Sequence, residues 1–287
     1  MGNKSANIGM RQLFTICNMS YRKRIAFIGE GLPILIDSVQ ECYDSANLLL
    51  EKPRSREMLM GQSGEEATKI MILIDMLRCP EKRISRNVKK LTSWFYSHLV
   101  RMTYDEACSW RPDTIARLKE YVKPGLASHY LDGNLGEYIY PNWRLYLRES
   151  RLYGDVVIVD DRLPAWTSPL DENLYNYTRT PDSITLVQSL HAMGLLTLAG
   201  AKIIADVWSK IDFTDDKGYS DANSCIIETL NKAQSQGLIH KTATDDDVQN
   251  IHRYWQWPMY DFDLKIIERS LEDLQEEQAH LLAWEMS

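Results

Sequence analysis

The sequence has few of the residues that build metal cages and disulfide frameworks. Its 287 residues include five cysteines, which lie far apart, form no CxxC pair and leave one over after any pairing. We therefore expect neither a thiolate metal site nor a disulfide framework, and we predict no metal ion or cofactor. Dispersed cysteines of this kind are typical of a reducing compartment, so we expect a cytoplasmic protein.

Long apolar runs and the common catalytic motifs are also missing. No stretch reaches the roughly 18 apolar residues that a membrane span needs, and the first residues lack the apolar core of a signal peptide. Walker A, GxGxxG, HExxH and GxSxG patterns are absent. Their absence argues against the common nucleotide-binding, zinc-hydrolase and serine-hydrolase classes, and we expect no contact with a membrane.

The residues that are present have an ordinary globular composition but an uneven charge. Hydrophobic residues make up 44% of the chain and charged residues 25%, which excludes wholesale disorder. Residues 1–101 hold 16 Lys and Arg against 10 Asp and Glu, whereas residues 102–287 hold 17 against 30. A basic segment favours an anionic partner, although attraction between the two halves, or across a dimer, explains the asymmetry equally well.

Apolar residues that recur every three or four positions predict a helical bundle. The pattern indicates helices over 34–50, starting beside Pro33, and over 57–78, 85–107 and 183–211. Pro53 and Pro80 end the first two helices, and short connections predict antiparallel neighbours. Further helices are expected near 222–236, 245–254 and 264–284.

The fold class that follows is all-α. Prolines and glycines interrupt the helical period over 109–181, where we expect an irregular insertion with one short helix over 113–121 and one strand over 155–161. We predict an N-terminal extension over 1–30, a bundle over 31–211 that includes this insertion, and a C-terminal helical extension over 212–287.

Two polar residues lie on the apolar faces of the predicted helices. Glu66 shares a face with Ile70 and Leu77, and His98 falls in register with Leu91 and Met102. A buried carboxylate without a partner costs several kcal/mol, so we expect Glu66 and His98 to face each other across neighbouring helices. By contrast, Glu65 precedes Lys69 by four residues, which predicts an ion pair on the helix surface.

Such a pair has two interpretations. One is a buried polar network that fixes the register of the helices. The other is an acid/base site in a crevice, where Glu66 and His98 move protons and Lys69 or Arg101 stabilises negative charge.

Three sequence blocks in order resemble one protein family. They are Glu65-Glu66-x-x-Lys69 after an amphipathic helix, the run from Phe95 through His98 to Arg101, and Arg148-x-x-Arg151-x-Tyr153-x-Asp155 before a long helix. This arrangement is similar to that of the AbiV-type abortive infection proteins, which are placed in the HEPN superfamily of helical bundles. None of the six histidines follows an arginine at the spacing that many ribonucleases of that superfamily use.

The resemblance implies a fold, a site and a setting. It implies a HEPN-like antiparallel bundle that forms a homodimer, with Glu66, His98, Arg101 and Lys69 as catalytic residues. Glu65, Arg151, Tyr153 and Asp155 would bind the substrate or orient the groups that do.

The implied function has two main forms. The first is an antiphage effector that acts on RNA or the translation machinery, as a metal-independent ribonuclease, after activation by a phage-encoded protein. The second is a noncatalytic module that binds a phage or host protein and so blocks translation. A third reading is a regulatory subunit whose acidic C-terminal region contacts a partner.

Overall fold

The fold is mostly helical, as the sequence predicts. The computed structural model describes residues 12–132, 138–140, 142–159, 163–169, 180–255 and 257–285. In this part of the chain a short 3-10 helix, Gln12–Asn18, precedes eleven α-helices and two antiparallel hairpins. None of the described helices is both long enough and apolar enough to cross a membrane.

The elements follow one another along the chain in a simple order. The first helices are α1 (Tyr21–Leu48), α2 (Pro53–Arg78), α3 (Glu81–Trp94), α4 (His98–Ser109) and α5 (Ile115–Leu126). The middle holds β1 (Tyr130–Asp132), β2 (Tyr138–Tyr140), α6 (Trp143–Leu152), β3 (Asp155–Val159) and β4 (Leu163–Thr167). The last helices are α7 (Asp182–Ala192), α8 (Leu198–Trp208), α9 (Tyr219–Ser235), α10 (Asp245–Tyr254) and α11 (Leu271–Glu285).

Helix α2 is the centre of the fold. It contacts α1, α3, α4, α6, α7 and α8, and fourteen of its 26 residues are buried. Its last turns, over 72–78, are buried on every side. A helix surrounded in this way cannot send its charged side chains to solvent, so each needs a partner within the protein.

The C-terminal residues contribute to the same core as the bundle. One cluster of buried side chains extends from Ile16 to Leu264. The segment 257–264, which follows α10, is not helical, yet Met259, Tyr260 and Phe262 are all buried. The predicted helix start at 264 is therefore wrong, because α11 begins at Leu271.

A buried polar network attaches this segment to α2. Asp75 lies 3.3 Å from Arg78 Nη1, and its Oδ2 accepts hydrogen bonds from Tyr104 Oη at 2.8 Å and Met259 N at 2.7 Å. The guanidinium of Arg78 stacks on the Trp208 ring, 3.8 Å from its centroid. Burial raises the pKa of Asp75, while the charge of Arg78 and the two hydrogen bonds oppose that rise.

The predicted start of the first helix beside Pro33 is wrong. Helix α1 begins at Tyr21 and passes Pro33 without a break. It therefore also includes the last residues of the predicted N-terminal extension, 1–30. The reason is that its buried stripe crosses the proline: Ile28, Leu32 and Ile36 all face the core. Their burial maintains a helix in which one backbone hydrogen bond is lost.

The predicted helix over 85–107 is two helices. Helix α3 ends at Trp94, and α4 begins at His98 with Ser97 as its N-cap, whose Oγ accepts from Val100 N at 3.4 Å. The break removes the assumed register between Leu91 and His98. His98 becomes the first residue of a new helix, and 42% of its side chain is exposed.

The predicted helix over 183–211 is likewise divided, and the insertion is more ordered than expected. Gly194, with a φ of 71°, ends α7, and the Thr197 side chain caps α8. Within the insertion, the predicted short helix is α5 and the predicted strand is β3. Strand β3 pairs with β4, and the insertion also holds α6 and the β1–β2 hairpin.

If the Asp75 network stabilises this packing, substitutions in it should lower the free energy of unfolding. We expect Asp75→Ala to lower the free energy of unfolding by about 3–5 kcal/mol, because it removes the carboxylate beside a buried guanidinium. Tyr104→Phe, which removes one hydrogen bond to that carboxylate, is expected to cost about 1.5–3 kcal/mol. Urea unfolding measures both, with the exposed Asp113→Ala as the control. Equal stability of Asp75→Ala and this control would contradict the assignment.

Candidate active site

A cleft lies between α2, α4 and α6, with a volume of about 670 Å³. Charged side chains of both signs line it. The arginines are Arg101 on α4 and Arg144, Arg148 and Arg151 on α6. The acidic residues are Glu57 and Glu65 on α2 and Asp105 and Glu106 on α4.

Glu65 connects the three helices at one end of this cleft. Its Oε1 lies 2.6 Å from Arg148 Nε, and its Oε2 lies 2.9 Å from Arg101 Nη2 and 2.8 Å from His98 Nδ1. The Glu65 side chain is 12% exposed. One carboxylate thus receives two guanidinium groups and an imidazole in a largely desolvated place, where charge-assisted hydrogen bonds are strong.

The environment keeps Glu65 ionised. Burial by itself would raise the pKa of this carboxyl, but the hydrogen bond from Arg148 and the charges of Arg101, Arg148 and His98 outweigh burial. The net result is a pKa below the ordinary value. Glu65 is therefore an acceptor at neutral pH and not a proton donor.

Arg101 is the most deeply buried cation of the site. Only 8% of its side chain is exposed, and burial lowers its pKa despite the opposing charge of Glu65. Its Nε is buried and has no hydrogen-bond partner among the described residues. Such an atom has capacity for an additional acceptor, whether from water or from a ligand.

Glu65 and Arg101 hold the Nδ1 edge of His98. Its Nδ1 lies 2.8 Å from Glu65 Oε2 and 2.7 Å from Arg101 Nη2, which also lies 3.4 Å from Nε2. Nδ1 donates to Glu65 in the tautomer that carries a proton there, and it accepts from Arg101 in the other tautomer, because a guanidinium can only donate. The His98 side chain is 42% exposed. An imidazole held beside a carboxylate and a cation is a candidate for proton transfer.

The expected pairing of Glu66 with His98 is not the one that forms. Glu66 is buried, as predicted, but its Oε1 accepts from Lys69 Nζ and from Gln62 Nε2 at 3.1 Å. The predicted Glu65–Lys69 pair is replaced by this Glu66–Lys69 pair. The cause is the break at Ser97, which turns His98 toward Glu65 and away from the face that carries Glu66.

The predicted substrate-binding residues divide into two groups. Glu65 and Arg151 both line the cleft. Tyr153 is 60% exposed, and Asp155 accepts a hydrogen bond from its neighbour Val156 N at 2.7 Å. Neither Tyr153 nor Asp155 is among the described residues that line the cleft, so the structure does not bring them to His98.

The sequence interpretation did not assign a role to Arg148, Arg144 or Glu106. Arg144, Arg148 and Arg151 lie at i, i+4 and i+7 of α6, which places them on one helix face. That spacing was visible in the sequence, but a helix was not predicted there. No group of His, Cys, Asp and Glu side chains that could hold a metal ion occurs among the described residues.

Comparison with known proteins adds no relative. No protein-family model matches the chain. No curated protein matches it, and no solved structure matches it.

The lowered pKa of Glu65 predicts how this site depends on pH. A carboxyl whose pKa falls on folding stabilises the native state above its ordinary pKa, and this stabilisation is lost as the pH falls through the lowered value. We expect the wild type to be more stable than Glu65→Gln at pH above 4.5, the ordinary value. The difference should shrink on further acidification.

Urea unfolding at a series of pH values measures this difference. The exposed Glu120→Gln, which removes the partner of Arg117 on the surface, serves as the control and should show no comparable change. A Glu65→Gln difference that stays constant from neutral to acidic pH would contradict the assignment of Glu65 as an ionised partner of the two arginines.

Proposed function

We propose that the protein is an antiphage effector of the abortive infection type that acts on RNA, as a metal-independent endoribonuclease. The observation that carries this proposal is the imidazole of His98 beside Glu65 and Arg101, which line the cleft together with Arg148. His98 itself is not among the described residues that line the cleft. A general base, with cations around the reacting phosphate, is what cleavage at a 2′-hydroxyl requires.

The proposed reaction is an internal transesterification. His98 Nε2 removes the proton of the 2′-hydroxyl, and the 2′-oxygen attacks the adjacent phosphorus. The bond from phosphorus to the 5′-oxygen of the next nucleotide breaks, and His98 returns the proton to that oxygen. The products are a 2′,3′-cyclic phosphate and a 5′-hydroxyl, so no oxidant, metal or further reactant is consumed.

Each remaining residue has a distinct part in this proposal. Arg101 and Arg148 stabilise the negative charge that builds up on the phosphorane. Glu65 orients His98 and stabilises the imidazolium that forms when His98 takes the proton. Glu66 and Lys69, which pair with each other, are outside the reacting group.

The biological setting comes from the family resemblance. The three blocks similar to AbiV-type proteins support a HEPN-like bundle, a homodimer and activation by a phage-encoded protein. All three blocks contribute residues to the cleft, namely Glu65 from the first, Arg101 from the second, and Arg148 and Arg151 from the third. His98 of the second block contacts Glu65.

A pair of adjacent carboxylates tests the assignment. We expect purified wild-type protein to cleave total RNA or tRNA, leaving cyclic phosphate ends. Both His98→Gln and Glu65→Gln should lower the rate by about 10²- to 10⁴-fold, the usual contribution of a positioned base. Glu66→Gln, the matched control one residue away, should retain activity close to that of the wild type.

Gel electrophoresis of end-labelled RNA measures the rates, and circular dichroism checks that each variant is folded. Loss of activity in Glu66→Gln with retention in Glu65→Gln would contradict the role of Glu65 and favour Glu66 and His98, the pair expected from the sequence. Intact RNA after incubation with wild-type protein that still arrests growth would contradict the ribonuclease proposal.

A second candidate function is noncatalytic protein binding. The observation in its favour is the β3–β4 hairpin, where Val156 is paired with Trp166 and both are exposed, Trp166 to 84%. Exposed apolar groups of this size are typical of interaction sites. Under this candidate, Trp166→Ala abolishes growth arrest while His98→Gln retains it, which is the reverse of the result that the ribonuclease proposal expects.

A further inference from the structure

Helix α6 attaches to the bundle through polar contacts as well as one apolar side chain. None of its ten residues is fully buried, but Leu145 is partly buried against the core. Polar contacts attach the helix at both ends: the buried Asn142 donates to Gly125 O at 2.9 Å, and Arg54 donates to Leu152 O at 2.9 Å. Between them, Arg144 and Arg148 reach from α6 to the bundle. Polar side chains therefore contribute to the position of α6 together with Leu145.

Arg144 makes one of the two arginine contacts, to a carboxylate that is more exposed than Glu65. It forms an ion pair with Glu106 and lies 3.5 Å from Thr103 Oγ1, and 17% of its side chain is exposed. Burial lowers the pKa of Arg144, and the Glu106 carboxylate opposes that shift.

Besides Glu106 and Thr103, the Arg144 guanidinium also lies against Gly125 of α5. A Cβ atom at position 125 would overlap the guanidinium of Arg144. Gly125 has no unusual φ, so a larger residue there would act by displacing the end of the Arg144 side chain and not by straining the backbone. The guanidinium thus occupies a place formed by Glu106, Thr103 and the missing side chain of Gly125.

Arg144 and Arg148 are one helical turn apart on the same face of α6. With a rise of about 1.5 Å per residue, their Cα atoms differ by roughly 6 Å along the helix axis. Arg144 meets Glu106 and Arg148 meets Glu65. Since the helix is rigid over one turn, whatever fixes Arg144 also fixes where Arg148 can reach.

We propose that Arg144 is a positioning residue for the active site: held by Glu106 and Gly125, it places Arg148 at Glu65 and at the substrate phosphate. Its part in substrate binding rests on the proposed action on RNA. Its part in placing α6 does not, and the two are tested separately.

The first test needs no RNA. Gly125→Ala keeps every charge but fills the space of the guanidinium, and alanine favours a helix more than glycine does. Glu106→Gln keeps the shape and removes the charge. We expect both variants to speed amide hydrogen exchange in α6 about tenfold, since both release Arg144. Gly31→Ala, where a Cβ meets nothing within 4 Å, should leave exchange in α6 unchanged.

The second test asks whether Arg144 acts through Arg148. A phosphate contact contributes about one unit to the slope of log affinity against log salt. We expect Gly125→Ala and Glu106→Gln to reduce this slope for single-stranded RNA by about one, as Arg148→Gln does. In the Gly125→Ala/Arg148→Gln double variant, the first substitution should add nothing to the second.

The outcomes separate this inference from the proposed function. Exchange in α6 that is unchanged in both Gly125→Ala and Glu106→Gln overturns the positioning role, whatever RNA does. Additive effects of Gly125→Ala and Arg148→Gln on RNA affinity also overturn it, because Arg144 would then act independently. Failure of wild-type protein to bind RNA overturns the proposed function. In that case, the hydrogen-exchange experiment alone still tests whether Arg144 positions α6.

Discussion

The constraint on which the rest of the structure depends is the enclosure of α2. Packed on by six other helices, it cannot present Glu65, Glu66 or Asp75 to bulk water, and an ionised carboxylate in such a place is costly without partners. Each of the three has a separate solution: two guanidinium groups and an imidazole for Glu65, a lysine for Glu66, and Arg78 with two hydrogen bonds for Asp75. Helices α4 and α6 supply the partners of Glu65, whereas Lys69, the partner of Glu66, lies on α2 itself.

The same constraint gives different results at two places along the helix. Near its C-terminal end, the acceptor atoms of Asp75 are satisfied by protein groups, and the adjoining void has a volume of about 20 Å³. At its middle, the Glu65 cluster adjoins a cleft of about 670 Å³ and includes His98, which is 42% exposed. Both are buried polar networks, but the second has room for a ligand. This difference in space distinguishes a candidate site from a structural network better than residue types do.

Helical periodicity was enough to predict the all-α class, the end of α2 at Arg78 and the burial of Glu66. It failed where local capping decides the path. Apolar residues continue in register through Phe95, so the helical period cannot reveal that Ser97 caps a new helix. Glu65 and Glu66 are adjacent on α2, so a small error in the orientation of His98 exchanges one carboxylate for the other. Helix α6 was missed because it is short and none of its residues is fully buried, although Leu145 packs against the core. Its signal was the regular spacing of three arginines, which becomes informative once the carboxylates opposite are known.

Local charge, and not net charge, decides whether such a cleft accepts a polyanion. The chain carries a formal charge of -7, whereas the described residues that line the cleft include four arginines and four acidic residues. The arginines are concentrated at Glu65, where one carboxylate meets both Arg101 and Arg148. Glu149, which also pairs with Arg148, is 55% exposed, so solvent screens it more than the buried groups. A phosphate that approaches Glu65 therefore meets the field of Arg101 and Arg148, while Glu57, Asp105 and Glu106 oppose a polyanion elsewhere in the cleft.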